Sequence, residues 1–299
     1  MNTANIPTVP AKNILFKNAS PDAWFGENYN MNIYRGCSHG CIYCDSRSDC
    51  FKNPDFNTVK VKENALEIIR NDLRRKVKTG VIGTGAMSDP YNPLEEKLNL
   101  TRHSLELINA FGFGVSPTTK SALITRDIDV LQDIKSHSPI MIKFSISTAD
   151  DKLCKKLEPN VSTPSERFGA IRTLSDHGIF CGVLINPLLP FINDTEENII
   201  KLIHMAKDAG AKFVHTFMGM TLRKGSREYY YEHLGEILPG VREKIMKRFG
   251  TSYNCTSPDY KKLWSVYEAE CERLNLLYDM KAIIHNYKSG YGDQQLTLF

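Results

Sequence analysis

Three cysteines stand close together in Cys37-Ser-His-Gly-Cys41-Ile-Tyr-Cys44, spaced C-x3-C-x2-C. Thiolates are soft ligands, suited to iron–sulfur clusters and to zinc. Three of them on one glycine-containing loop can face a single centre. A four-iron cluster held by three protein thiolates keeps one iron open, and that iron needs a ligand from outside the chain. The other reading of the same residues is a structural zinc ion on Cys37, His39, Cys41 and Cys44. Zinc sites usually draw their ligands from two separated pairs, so that the metal ties distant parts of the fold together. Four ligands in one short loop would tie little, and the cluster is the better reading. His39 then has no ligand role and is expected as an exposed loop histidine. Cys50, Cys154, Cys181, Cys255 and Cys271 are scattered and are expected to pack as small hydrophobes.

Such a loop needs a frame to present it. Short β-like runs occur at about 30–36, 81–87, 112–118, 140–148, 179–187 and 212–219, each apolar and rich in β-branched or aromatic residues. The cysteine loop follows directly on the first. Between the runs lie helical patterns at 63–78, 100–110, 127–135, 164–177 and 195–209. The first places Leu66, Ile69, Leu73 and Val77 at three- and four-residue steps. Thr195 reads as a helix start, and Gly178 and Gly210 as helix stops. Strand and helix alternating about six times predict a parallel α/β fold. An open doubly wound sheet and a barrel both fit that alternation, and both carry their sites at the carboxyl ends of the strands. Past residue 223 the β signal fades, and 226–249 and 258–278 read as helices. The expected division is an N-terminal segment 1–28, a core 29–222, a helical C-terminal extension 223–287 and a flexible tail 288–299.

The composition, 41% hydrophobic and 24% charged, suits a large buried core and excludes disorder on a large scale. A net charge of +4 permits a polyanionic partner without demanding one. No run approaches the ~18 apolar residues of a membrane helix, and the first residues lack the pattern of a secretory signal. A cytoplasmic protein without membrane association is expected.

The C-x3-C-x2-C loop closing a first strand, ahead of five further β/α units, resembles the radical S-adenosylmethionine (SAM) superfamily over about residues 30–222. A finer resemblance, to the spore photoproduct lyase-like branch, is carried by YRGCSHGCIYCDSR (34–47), GAMSDPYNPLE (85–95), TKSALITRDIDVL (119–131), FSIS (144–147), LEPNVSTPSERF (157–168) and LINPLLPFIND (184–194). The resemblance implies a partial (β/α)6 TIM-type barrel with a helical C-terminal extension, and a [4Fe–4S] cluster on Cys37, Cys41 and Cys44 with SAM on the open iron. Tyr43, before the third cysteine, matches the superfamily pattern. Lys120 would meet the SAM carboxylate, Ser145 or Ser147 its ribose or amino group, Asn186 its adenosyl part, and Ser88 would lie beside the same centre. A carboxylate wants a charged donor and a ribose wants hydroxyls, which agrees with those residue types.

The chemistry implied is reduction of the cluster by a flavodoxin or ferredoxin type donor. Reductive cleavage of SAM then gives methionine and a 5′-deoxyadenosyl radical, which abstracts a hydrogen atom from the substrate. The branch points to DNA or another nucleic acid, with repair-like lyase chemistry. The basic run 242–248 and the aromatic run 229–231 are compatible with that. A small-molecule or peptide substrate is the alternative. One departure matters: the lyase carries a cysteine in the second-strand loop that returns a hydrogen atom to the product radical. This chain has Ala86 and Met87 there, so dimer reversal by the same route is not expected. Tyr91 is a candidate radical relay, with packing the safer expectation. Finally, Gln295-Leu296-Thr297-Leu298-Phe299 resembles the peptide with which bacterial replication and repair proteins dock on the DNA polymerase sliding clamp. Leu296, Leu298 and Phe299 supply apolar anchors and Gln295 a polar contact at the groove rim.

Overall fold

The structure, a computed structural model, describes residues 6–21 and 23–291. The chain runs β1 (Thr8–Val9), β2 (Leu15–Lys17), β3 (Tyr29–Met31), β4 (Tyr34–Arg35), β5 (Lys60–Lys62), α1 (Ala65–Arg74), β6 (Val81–Thr84), α2 (Glu95–Leu98), α3 (Leu100–Ala110), β7 (Gly114–Thr119), α4 (Ile128–Lys135) and β8 (Ile142–Ser145). It continues through α5 (Asp151–Leu157), α6 (Pro164–Asp176), β9 (Cys181–Ile185), α7 (Glu196–Asp208), β10 (Phe213–Thr216) and β11 (Gly219–Thr221). It closes with α8 (Ser226–Ile237), α9 (Val241–Phe249), β12 (Asn254–Thr256), α10 (Tyr260–Arg273) and α11 (Met280–Lys288).

Six strands pair in parallel in the order β3-β6-β7-β8-β9-β10, and β2 adds antiparallel outside β3. Spatial order follows chain order without the reversal that defines a doubly wound sheet. The sheet is therefore a partial barrel of six β/α units, with β2 at one edge and β10 at the other, where Leu277 bridges to Phe213. All six expected strands are present, and each is shorter than its apolar run: of 140–148, only Ile142–Ser145 is strand.

Strand alternation sorts side chains between the helix layer and the barrel interior. On β8, Ile142 and Phe144 join the core under the helices. Lys143 and Ser145 face inward. Lys143 pairs with Glu27 at the barrel floor, where Ser116 of β7 also donates to Glu27 at 3.0 Å. Gly83 of β6 leaves the space that the Glu27 carboxylate fills: a Cβ there would come within 2.0 Å of it.

The helix signals act as their chemistry requires. Thr195 caps α7 by accepting from the Asn198 N–H, and Thr163 with Glu166 forms a capping box on α6. Gly178 and Gly210 take φ of +69° and +82° and end α6 and α7. Three sequence expectations are corrected. Helix α1 stops at Arg74 as the chain turns back toward β6, so Val77 is 73% exposed rather than packed. The stretch 226–249 is two helices, parted at Gly240 with φ +85°. The β signal does not end at 223: β12 pairs antiparallel with β11. Helix α10 packs along α7 and brings Leu263, Tyr267 and Cys271 into the main core. Helix α11 packs beneath residues 24–26, with the Tyr287 hydroxyl donating to the Phe25 carbonyl at 2.7 Å. The expected tail 288–299 is described only as far as Tyr291, so Gln295, Leu296, Leu298 and Phe299 lie outside the described residues.

Candidate active site

The cysteine loop leaves β4 and is held from three sides. The Cys37 N–H donates to Phe56 O at 2.8 Å, the Ile42 N–H to Leu157 O at 3.0 Å, and the Ser88 hydroxyl to the Gly36 carbonyl. Two glycines make this possible. Gly36 has φ +82°, and a Cβ there would lie 2.5 Å from Thr58 O; Gly40 has φ +73° and presses on Pro159. The loop brings Cys37, Cys41 and Cys44 to the wall of one cavity of about 1220 Å³ at the carboxyl ends of the barrel strands.

Cys37 and Cys41 are buried and Cys44 half-buried. Burial pushes the Cys37 thiol up to about 12, with Asp89 and Cys44 adding to it, and pushes Cys41 and Cys44 up as well. Thiols in such surroundings stay protonated and inert unless a cation compensates the thiolate. Three unbridged thiols lining one cavity therefore suit a cationic metal centre by their chemistry, although among the described residues no three His, Cys, Asp or Glu side chains stand as a preassembled metal group. They fit zinc less well. A single ion needs its donors on one point, whereas His39 is turned to Asp89, with Nδ1 3.4 Å from Oδ2. His39 is also not the exposed residue expected: it is 3% exposed, because Asn160 folds over the loop and bonds Ser38 O and His39 O. Desolvation lowers its pKa and keeps the imidazole neutral near pH 7.

Beside the thiols, strand ends deliver a polar chain. Lys120 Nζ donates to Ser145 Oγ at 2.8 Å, and Ser145 Oγ to Asn186 O at 2.7 Å. Lys120 Nζ also sits 5.9 Å over the Tyr43 ring. The structure thus brings Tyr43, Ser88, Lys120, Ser145 and Asn186 to the cavity that holds the cysteines. Ser147 is not among its lining. Strand β8 ends at Ser145, the alternation ends with it, and the Ser147 carbonyl accepts from Asn193 at 2.8 Å and Asn198 at 3.0 Å instead. Ser88 lines the cavity but spends its hydroxyl on Gly36.

Two acidic residues organise the surroundings. Asp89 accepts from Thr119 Oγ1, the Lys120 N–H and the Tyr91 N–H at 2.7–2.9 Å, which fixes the β7 exit that carries Lys120. Glu158 is fully buried, takes the Tyr43 hydroxyl and pairs with Arg167. Arg167, also buried, donates to Ser145 O at 2.5 Å and Ser162 O at 2.7 Å. Tyr91 is buried outside the cavity lining with its hydroxyl on Asp127, a packing role. Tyr230 and Tyr231 are buried too, and Tyr229 lies under the Arg47 guanidinium at 3.6 Å. Cys154, Cys181, Cys255 and Cys271 pack as expected, while Cys50 is exposed.

A further part of the cavity lining was not anticipated. It comes from the 3-10 turn Trp24–Gly26, from β10 and β11, and from the start of α10, which contribute Trp24, His215, Phe217, Met220, Lys261 and Trp264. These residues lie outside the motif segments. Their one signal is the exposure of large rings near the cavity: Trp24 51%, Phe217 48%, Tyr260 44% and Trp264 39%.

A partial six-unit barrel with three thiols at its carboxyl mouth is the form of a radical SAM core. The profile of the radical SAM superfamily matches residues 31–206, and the chain belongs to this superfamily. Its members are enzymes that use a [4Fe–4S] cluster and SAM. An uncharacterised protein of Mycobacterium tuberculosis is 31% identical over 245 residues, 79% of this chain and 71% of that one. The radical SAM Nalpha-GlyT isomerase of Pseudomonas phage M6 is 23% identical and spans 76% of this chain and 44% of its own. Among solved structures, spore photoproduct lyase complexed with dinucleoside spore photoproduct superposes with a TM-score of 0.67 at 16% identity, covering 87% of this chain and 76% of that one. That likeness is one of fold. Among the described residues no helix is long and apolar enough to cross a membrane.

Proposed function

We propose that the chain cleaves SAM reductively and turns the resulting 5′-deoxyadenosyl radical on DNA or another nucleic acid. The observation that carries this reading is a single cavity joining three cysteine thiols, the Lys120–Ser145–Asn186 chain and an aromatic mouth. Cys37, Cys41 and Cys44 would hold the cluster, and Lys120 the SAM carboxylate, with Ser145 and Asn186 orienting the lysine. When bound, the pair of cofactors supplies a carbon radical able to abstract hydrogen. The protein's part is to orient the reactants and exclude water, and the apolar walls Leu184, Met218 and Met220 suit that task. The volume of about 1220 Å³ exceeds the roughly 300–1,000 Å³ of ordinary ligand sites, leaving room for a substrate beside SAM. Support for a nucleic-acid substrate comes from the dinucleoside complex of the lyase neighbour. Ala86 and Met87 line the cavity without a thiol, which supports a reaction distinct from the lyase's.

The test is anaerobic reconstitution, reduction by a flavodoxin or ferredoxin type protein, and addition of SAM with candidate nucleic acids. About four iron and four sulfide per chain are expected, with 5′-deoxyadenosine formation raised by one substrate. Retained zinc without iron would overturn the reading. A second expected result concerns Lys120→Ala, which removes a charge-assisted contact of about 1.5–3 kcal/mol. The SAM dissociation constant should rise roughly 10- to 150-fold, with cluster absorbance unchanged. An unaltered constant removes Lys120 from the site.

The motif Gln295–Phe299 supports a sliding clamp as partner, on its sequence alone. Full-length protein should bind the clamp in a pull-down or titration, and a version lacking 295–299 should not. Equal binding by both, or none at tens of micromolar, sinks the partnership.

A further inference from the structure

Both tryptophans of the chain, Trp24 and Trp264, line the same cavity, although 240 positions separate them. Each keeps a third or more of its surface exposed. Large rings left open at the lip of a cavity are poor core residues and good stacking platforms. One turn before Trp264 on α10 stands Lys261, which also lines the cavity. Its neighbour Lys262 is tied to Glu196, whereas Lys261 has no ion-pair or hydrogen-bond partner among the described residues. The two acids of the lining offer it no counter-charge. Asp45 is paired with Arg223, and Asp89 is taken up by Thr119 and the Lys120 backbone.

Two open indoles and an unpaired cation on the lining of one cavity ask for a ligand that is both flat and anionic. We propose that Trp24, Trp264 and Lys261 form a clamp for one nucleotide of a single strand, the base packed against the indoles and its phosphate on Lys261. This rests on the SAM-cleaving reading above and specifies how its substrate is held. A base in a duplex cannot reach the thiol end of the cavity without leaving the stack, so an unpaired strand is the preferred form. Because the clamp is built from residues 24 and 261–264, it lies outside the segments that hold the thiols and Lys120.

The two tryptophans make the clamp its own reporter. In cluster-loaded protein with SAM, a short oligothymidylate should quench tryptophan emission. Trp24→Phe and Trp264→Phe should each retain part of the quench. Trp264→Ala should weaken binding roughly 5- to 150-fold. Lys261→Gln, a change at an exposed position, should weaken it by a smaller factor and lower the salt dependence of binding by about one phosphate contact. Thymidine should bind more weakly than thymidine 5′-monophosphate, and both more weakly than the strand. The proposal falls if no strand changes the emission, if the monophosphate or the matched duplex binds as tightly as the strand, or if Lys261→Gln leaves affinity and salt slope as they were. Wild-type protein that forms 5′-deoxyadenosine yet shows no quench would sink the clamp alone. Quenching without 5′-deoxyadenosine would support the clamp and sink the reading it rests on.

Discussion

Cys41→Ala is expected to yield folded protein with no [4Fe–4S] cluster and no 5′-deoxyadenosine formation. Three thiols are all that the loop offers, so losing one leaves two irons without protein ligands. Two cysteines cannot stand in. Cys154, the buried thiol on α5, is already engaged with Glu158 and Arg167, and Cys50 lies exposed and outside the cavity lining. Cys37→Ala and Cys44→Ala should behave alike. Cys50→Ala and Cys271→Ala should keep full iron content, since Cys50 is exposed and Cys271 packs against Tyr267 in the helical layer. Iron, sulfide and visible absorbance after anaerobic reconstitution decide the matter. Full absorbance in Cys41→Ala would refute the ligand assignment.

The second large effect is one of stability. Arg167→Met removes the counter-charge of a carboxylate with essentially no access to water. Burial already pushes the Glu158 carboxyl up, and the guanidinium beside it works the other way. Breaking a buried pair from one side costs about 3–5 kcal/mol, because the remaining charge is left without compensation. The variant also strips the Ser145 and Ser162 carbonyls of their donor. Chemical denaturation of the loaded protein, kept anaerobic, should read a loss of that order. Combining Arg167→Met with Glu158→Gln should recover part of it, because no lone charge is then left inside. A loss below about 1 kcal/mol in Arg167→Met would mean that water reaches Glu158.

The barrel was legible because each β/α unit carries two independent signals, a short β-branched run and a 3.6-residue period behind it. Only the strand order, a tertiary fact, could separate barrel from open sheet on physical grounds. That Cys37, Cys41, Cys44 and Lys120 share one cavity was legible because they lie on short loops just past strands, where chain order and spatial order nearly coincide. His39 was misread because its burial depends on Asn160, 121 positions later. Ser147 was misread because the apolar run outlasts the strand. Helix α11 had a readable period in Met280, Ile283, Ile284 and Tyr287, but was absorbed into the stretch before the tail. The aromatic wall was invisible for a deeper reason: Trp24 and Trp264 acquire a shared meaning only when both ends of the chain meet at one cavity.

That meeting also has a temporal side. Phe25 is fully buried, and what covers it includes Met280 and Tyr287 of α11. Phe25 and Met280 are 255 residues apart in the chain. At roughly 5–20 residues per second, a ribosome needs on the order of 13–50 s to travel between them. Throughout that interval Phe25 lacks its final cover, and the neighbouring Glu27, which must meet Lys143 inside the barrel, sits in an unfinished base. The nascent chain therefore carries its cysteine loop on an incomplete scaffold until α11 has been made, and the base of the metal site is finished only once Met280 and Tyr287 reach Phe25.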